Sequence, residues 1–169
     1  MRSNAIAIAN YFVDKSLEDK NAPHRLTLLR LVKYVYVAYG IALAILDKLI
    51  IDERFDKVEA WKYGPVIPSV YHSFKHYQNN TITEKVSILV AENINGEMFF
   101  DTPSVKDESI IEVLDFVWNI YREMSTSQLI DDLHSDGSPW GVYYEQGKNV
   151  EIPHNITKAY YKIRMGYDE

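Results

Sequence analysis

The chain contains no cysteine among its 169 residues, which excludes disulfides, thiolate metal sites and cysteine nucleophiles. Its 7 glycines are dispersed, so no loop is rich enough in them to cradle a phosphate, and no serine stands in a nucleophile elbow. Repeats, low-complexity tracts and Pro/Gly/Ser linkers are also missing. That leaves one domain over residues 1–169, long enough to bury a real core and too short to call for two. The most apolar run, Tyr34 to Leu46, falls short of the roughly 18 residues of a membrane span and is flanked by Lys33 and Asp47, so it predicts a buried core helix. The opening stretch MRSNAIAIANYFVDK is interrupted by Asn4, Asn10 and Tyr11 and has no uniform signal-peptide core. The expectation is a cytoplasmic protein that makes no use of a membrane.

Tyrosine stands out among the residues present. Thirteen of them suggest a core rimmed by rings that bury one face while the hydroxyl reaches a partner or water, a trait that suits interfaces as well as cores. Charge is uneven. Residues 1–85 carry 12 Lys/Arg against 9 Asp/Glu, and residues 86–169 carry 6 against 15, within a net charge of −6. The acidic half repels phosphate backbones and attracts basic partners, which argues against nucleic acid as a ligand.

Helical periodicity dominates the chain. Ala5, Ile8, Ala9 and Phe12 mark a first helix over about residues 4–16, with Ser3 or Asn4 as cap. A wide stripe from Leu28 to Leu46 makes a long second helix that should be central. A short extended piece ends at Trp61, and the segment Trp61 to Pro68, punctuated by Gly64 and Pro65, reads as irregular. Pro68 opens a third helix running to about Tyr77, with Ile67, Val70, Tyr71 and Phe74 on its core face. Val86, Ile88 and Val90 alternate, Asn95-Gly96 signals a type I′ turn, and Met98 to Phe100 follow, which gives a β-hairpin within residues 82–101. Helices then return over about 107–123, from a Ser125 to Gln128 capping box to near His134, and from Ser138-Pro139 to a stop at Gly147. A terminal helix is built on Ile156, Ala159, Tyr160 and Ile163. The predicted class is mainly α (α+β): a compact helical domain around a long central helix, with a small β-hairpin insertion.

Chemistry-bearing patterns are sparse. His72 and His76 have the four-residue spacing by which two imidazoles share a metal, but Ser73 replaces the glutamate a protease would need; they read as solvent-facing. Asp131, Asp132, His134 and Asp136 read as the polar end of a helix, with no nucleophile or oxyanion donor beside them. Arg25, Arg30 and Lys33 recur on neighbouring turns and read as the exposed edge of a core helix rather than a phosphate-binding face.

Two segments resemble a known family. Leu29 to Gly40, LRLVKYVYVAYG, is similar to the LKLQKLLYYAQG helix of the Panacea (SocA-like) antitoxins of bacteria and phages, and Glu59 to Tyr71, EAWKYGPVIPSVY, to that family's EAWKYGPVVPEVY signature. Leu129, Leu133-His134, Ser138-Pro139-Trp140 and Ile152-Pro153 resemble later blocks in the same order. Val32 and Tyr39 depart from a frequent Gln, and Leu133 from a usual Thr. The resemblance implies a protein without catalysis or cofactor that neutralises a toxin encoded beside it. In SocA-like members the domain also serves as an adaptor to a cytosolic AAA+ protease. The signature and partner-binding candidates it marks are Lys33, Trp61, Lys62, Tyr63, Gly64, Pro65, Pro68, Tyr71, His134, Pro139 and Trp140. Within the signature, the aromatics, Gly64 and the two prolines are expected to set a rigid corner, with Lys62 solvated and turned away from its aromatic neighbours. The rival readings are a DNA-binding regulator and a metal-dependent hydrolase using the histidine pair or the Asp131 to Asp136 cluster.

Overall fold

In the computed structural model, which describes residues 4–167, a helix that is apolar on every side has been enclosed on every side. This helix, α2 (Leu28–Ile45), is preceded by α1 (Asn4–Glu18) and is buried along nearly its whole length. By length and composition α2 could cross a membrane; here its residues are covered by the chain's own fold. The covering elements are α1, α4 (Glu108–Tyr121), α5 (Thr126–Leu133) and α7 (His154–Arg164), with α3 (Pro68–Phe74) and a small sheet closing the remaining side. A short α6 (Pro139–Tyr143) packs on α7. The architecture is α+β and mainly helical, as the periodicity predicts.

Aromatic rings join the layers. Phe12 of α1 meets Tyr34 of α2 edge-on at 5.5 Å, and Tyr34 meets Trp118 and Tyr121 of α4 at 5.9 and 6.4 Å. On the other side Tyr36 lies 6.2 Å from Tyr161 of α7, and the Tyr39 hydroxyl is 2.5 Å from His154 Nδ1. Where α7 crosses, α2 carries Gly40, and the Tyr161 ring occupies the space a side chain there would need.

Two small sheets complete the fold. One has strand order β2-β1-β5, formed by β1 (Glu59–Trp61), β2 (Gly64–Val66) and β5 (Val150–Glu151). The other pairs β3 (Ile88–Glu92) with β4 (Met98–Asp101). Buried Asn10 anchors this second hairpin at its base: its side-chain amide donates to Val86 O (2.9 Å) and Pro103 O (3.0 Å), and its carbonyl accepts from Val86 N (2.8 Å). One satisfied polar side chain on α1 thus holds both stems, while the strands extend outward with little cover.

Several expectations are corrected. Trp61 to Pro68 is regular where irregularity was expected: Lys62-Tyr63 form the turn of a tight β1–β2 hairpin, and Pro65 is accommodated because β2 is an edge strand. The β3–β4 turn is not type I′. Gly96 alone of the Asn95-Gly96 pair has positive φ (+78°), and Asn93 closes the loop, its side chain accepting from Asn95 N and Glu97 N. The third helix tightens into a 3-10 turn over Lys75–Tyr77. Gly147 does not stop α6, which ends at Tyr143; it sits in a separate turn bridged by Glu145 and Lys148. The terminal helix buries Thr157 and Tyr161 rather than the Ile156 to Ile163 face, leaving Ile163 66% exposed, because the groove at Gly40 selects the residues opposite it. Ser3, the alternative cap of α1, lies outside the described residues. The capping box at Ser125 and the Ser138 cap form as expected.

Gly40→Ala should lower stability by about 1–3 kcal/mol, because the added methyl overlaps a buried ring that α7 cannot easily retract. Urea unfolding checks this; an unchanged midpoint would show that the α2–α7 contact is loose.

Candidate partner-binding site

The signature residues assemble around one buried amine. Lys33 sits on the side of α2 that faces the β1–β2 hairpin and is 1% exposed, and its Nζ donates to Pro65 O at 3.1 Å. Directly above it, Gly64 adopts φ +109°, a conformation that side-chain-bearing residues rarely take. A Cβ at Gly64 would lie 2.9 Å from Lys33 Nζ and 3.2 Å from His134 Nε2. Glycine therefore serves two purposes here. It turns the chain out of the hairpin and lets the strand approach the lysine and histidine.

His134, the C-cap residue of α5, forms the back of this knot. Its ring stacks on Trp140 at 3.6 Å and 3°, and Trp140 stacks in turn on Tyr144 at 4.6 Å. Trp140 Nε1 donates to Trp61 O at 2.6 Å, tying α6 to β1. Trp61 meets Tyr71 of α3 at 4.9 Å and donates from Nε1 to Glu59 Oε2 at 2.7 Å. Pro139 is buried at the start of α6, and Pro68 is the first residue of α3. Bonds that span 32 and 79 residues of sequence thus bring these blocks together, through rings, two strand carbonyls and one amine.

Burial shifts both titratable members. Desolvation lowers the Lys33 pKa from 10.5 to about 7. His134 is held below its usual 6.5, first by desolvation and then by the Lys33 amine, while the Tyr63 backbone and Asp131 act the other way. His134 Nε2 is buried without a hydrogen-bond partner.

In front of the knot lies a cleft of about 400 Å³ between the start of α2, the β1–β2 turn and α3 with its 3-10 extension. Lys33, Trp61, Lys62, Tyr63 and Tyr71 line it, so five of the candidates share one concavity, while Gly64, Pro65, His134 and Trp140 build its support. The rim also holds Lys75, Gln78 and Asn79, which the motif did not mark. The four-residue step from Tyr71 to Lys75 was the available signal. Lys62 is solvated as expected, yet its amine lies 5.1 Å over the Tyr63 ring instead of turning away, because the two residues form a turn and not a strand.

The expectation for the α2 cations is overturned. Only Arg25 is exposed. Arg30 is 2% exposed, donating from Nη2 to Tyr34 Oη (2.7 Å) and Tyr121 O (3.1 Å), since a helix covered on all sides gives its long side chains no route to water. His72 and His76 are exposed, with their rings against Tyr71 and Tyr77. Asp132 accepts from Tyr121 and pairs with Arg164, while Asp131 and Asp136 point to solvent. Among the described residues no group of three or more His, Asp or Glu side chains is placed to hold a metal ion.

The model of the antitoxin SocA-like Panacea domain matches residues 31–141, a span that contains all of the candidates from Lys33 to Trp140. Antitoxin SocA of Caulobacter vibrioides (strain NA1000 / CB15N) is 30% identical over 167 residues, covering 98% of this chain and 84% of that protein. No solved structure matches.

The Lys33 shift sets a pH dependence. Its folded pKa is depressed, so between pH 7 and 10.5 the unfolded chain binds the extra proton, and stability rises with pH across that window. Above pH 10.0 the buried tyrosines, whose folded pKa values are raised, oppose it. The thermal midpoint should therefore climb between about pH 7 and 10 in the wild type and stay flatter in Lys33→Met. Parallel profiles would contradict the burial of a titrating amine.

Proposed function

The chain belongs to the SocA-like Panacea antitoxin family, and on that premise we propose that it binds a cognate toxin protein in the cytoplasm and neutralises it without catalysis or cofactor. Two routes fit this reading: masking the toxin directly, or handing it to a cytosolic AAA+ protease.

The observation that carries the reading is the β3–β4 hairpin. Ile94 at its tip is 102% exposed and Phe100 is 63% exposed, and Leu89, Val90, Met98 and Phe99 are exposed as well. Two-stranded hairpins are marginal in water by themselves, and contiguous exposed apolar surface marks interaction sites. Leu89 and Phe100 face each other across the ribbon, which pays an ordering cost that a protein partner would recover by covering it.

Co-expression with the toxin encoded in the neighbouring reading frame tests this. The wild-type chain should restore growth, and a Phe99→Thr/Phe100→Thr variant should fail to restore it at equal abundance and an unchanged thermal midpoint, because threonine keeps strand propensity and removes only exposed surface. Toxin abundance separates the routes: constant under masking, depleted under delivery. Toxicity undiminished by the wild type would overturn the antitoxin reading. Full rescue by the variant would remove the hairpin as its support.

A further inference from the structure

We propose that the cleft between α2, the β1–β2 turn and α3 is the docking groove for an acidic segment of the toxin that also carries apolar side chains. This rests on the antitoxin reading and names the chemistry of the partner at one site.

Charge complementarity points to the occupant. The chain carries a net charge of −6, yet the charged side chains on the rim of this cleft are Lys62 and Lys75, with no Asp or Glu among the lining residues. Among the described residues neither Lys62 nor Lys75 forms an ion pair; Lys20, Lys106 and Lys162 share that trait but line no part of the cleft, and Lys15, Lys48, Lys57, Lys85, Lys148 and Lys158 each pair with an acid. Two exposed ammonium groups on the rim of one concavity, neither in an ion pair, attract carboxylates and orient an incoming segment. Lys33, at the back, is already committed to Pro65 O and contributes its buried stem.

The rest of the lining selects a peptide over a phosphate backbone. Leu28, Leu29, Val32 and Val66 give the groove an aliphatic surface, with Trp61 and Tyr71 packed edge to face beside it. Such a surface buries side chains, and Trp and Tyr are frequent centres of binding energy at protein interfaces. Phosphate recognition would call for several arginine or lysine contacts along a track, which two rim lysines over aliphatic walls do not supply.

The test uses the full chain and its Lys62→Glu/Lys75→Glu variant, with three probes: the intact toxin, overlapping peptides tiling the toxin sequence, and a short DNA duplex. Both lysines are exposed, so the thermal midpoint should not move. Peptides that combine Asp or Glu with Phe, Leu or Met should bind the wild type, weaken as salt is raised, and bind the double variant at least about tenfold more weakly. Equal binding of intact toxin to both chains would overturn the groove while leaving the antitoxin reading in place. Failure of the toxin to bind either chain would remove that reading and this inference together. Capture of basic peptides, or displacement of bound peptide by the duplex, would also overturn it by assigning the cleft a different occupant.

Discussion

Near-complete enclosure of α2 is the constraint from which the rest of the structure follows. Covered by five helices and a sheet, this helix cannot let Arg30 and Lys33 reach water, so each must find its partner inside. The partners are backbone carbonyls at fixed places: Tyr121 O at the end of α4 for Arg30, and Pro65 O in β2 for Lys33. Each buried donor therefore specifies where another element docks. Desolvation makes such groups costly, and apolar replacements often stabilise more, so their value lies in position rather than in net energy. Lowering the Lys33 pKa to about 7 reduces that cost by leaving the amine largely uncharged above neutrality.

From this constraint the shape of the signature becomes understandable. A lysine that must meet a strand carbonyl requires the strand to come close, and Gly64 is the residue that permits it. Trp140 then bonds to the Trp61 carbonyl on the partner strand and stacks on His134, bringing the end of α5 and the start of α6 to the same place. The cleft is the outer side of this knot. Along Trp61 to Pro65 the first three residues face the cleft and the next two hold the hairpin against α2, which is why one short motif serves both packing and the proposed recognition.

Local rules make much of this legible in the sequence. The stripe of α2, the Ser125 capping box, the Ser138-Pro139 start and the outer hairpin are all set by nearby residues, and each forms. What was not legible depends on distant partners. In sequence Arg30 and Lys33 look like the exposed edge of a core helix, because only tertiary packing closes the face on which they stand. The strand β5 is two residues long and pairs with β1 across the chain, so no alternation announces it. The buried face of α7 is chosen by Gly40 on another helix, against the more apolar face containing Ile163. For the site, the resemblance marked the motif, but the division of its residues between support and cleft appears only in three dimensions.

The most direct measurement is the titration of Lys33 itself, followed by the NMR shift of its ε-carbon in the folded chain and assigned through the Lys33→Met variant. Enclosure of α2 beneath Gly64 predicts a midpoint depressed from 10.5 to about 7. A midpoint close to that of a solvated lysine would mean that the amine reaches water, that α2 is open on this side, and that the hairpin is not held as described.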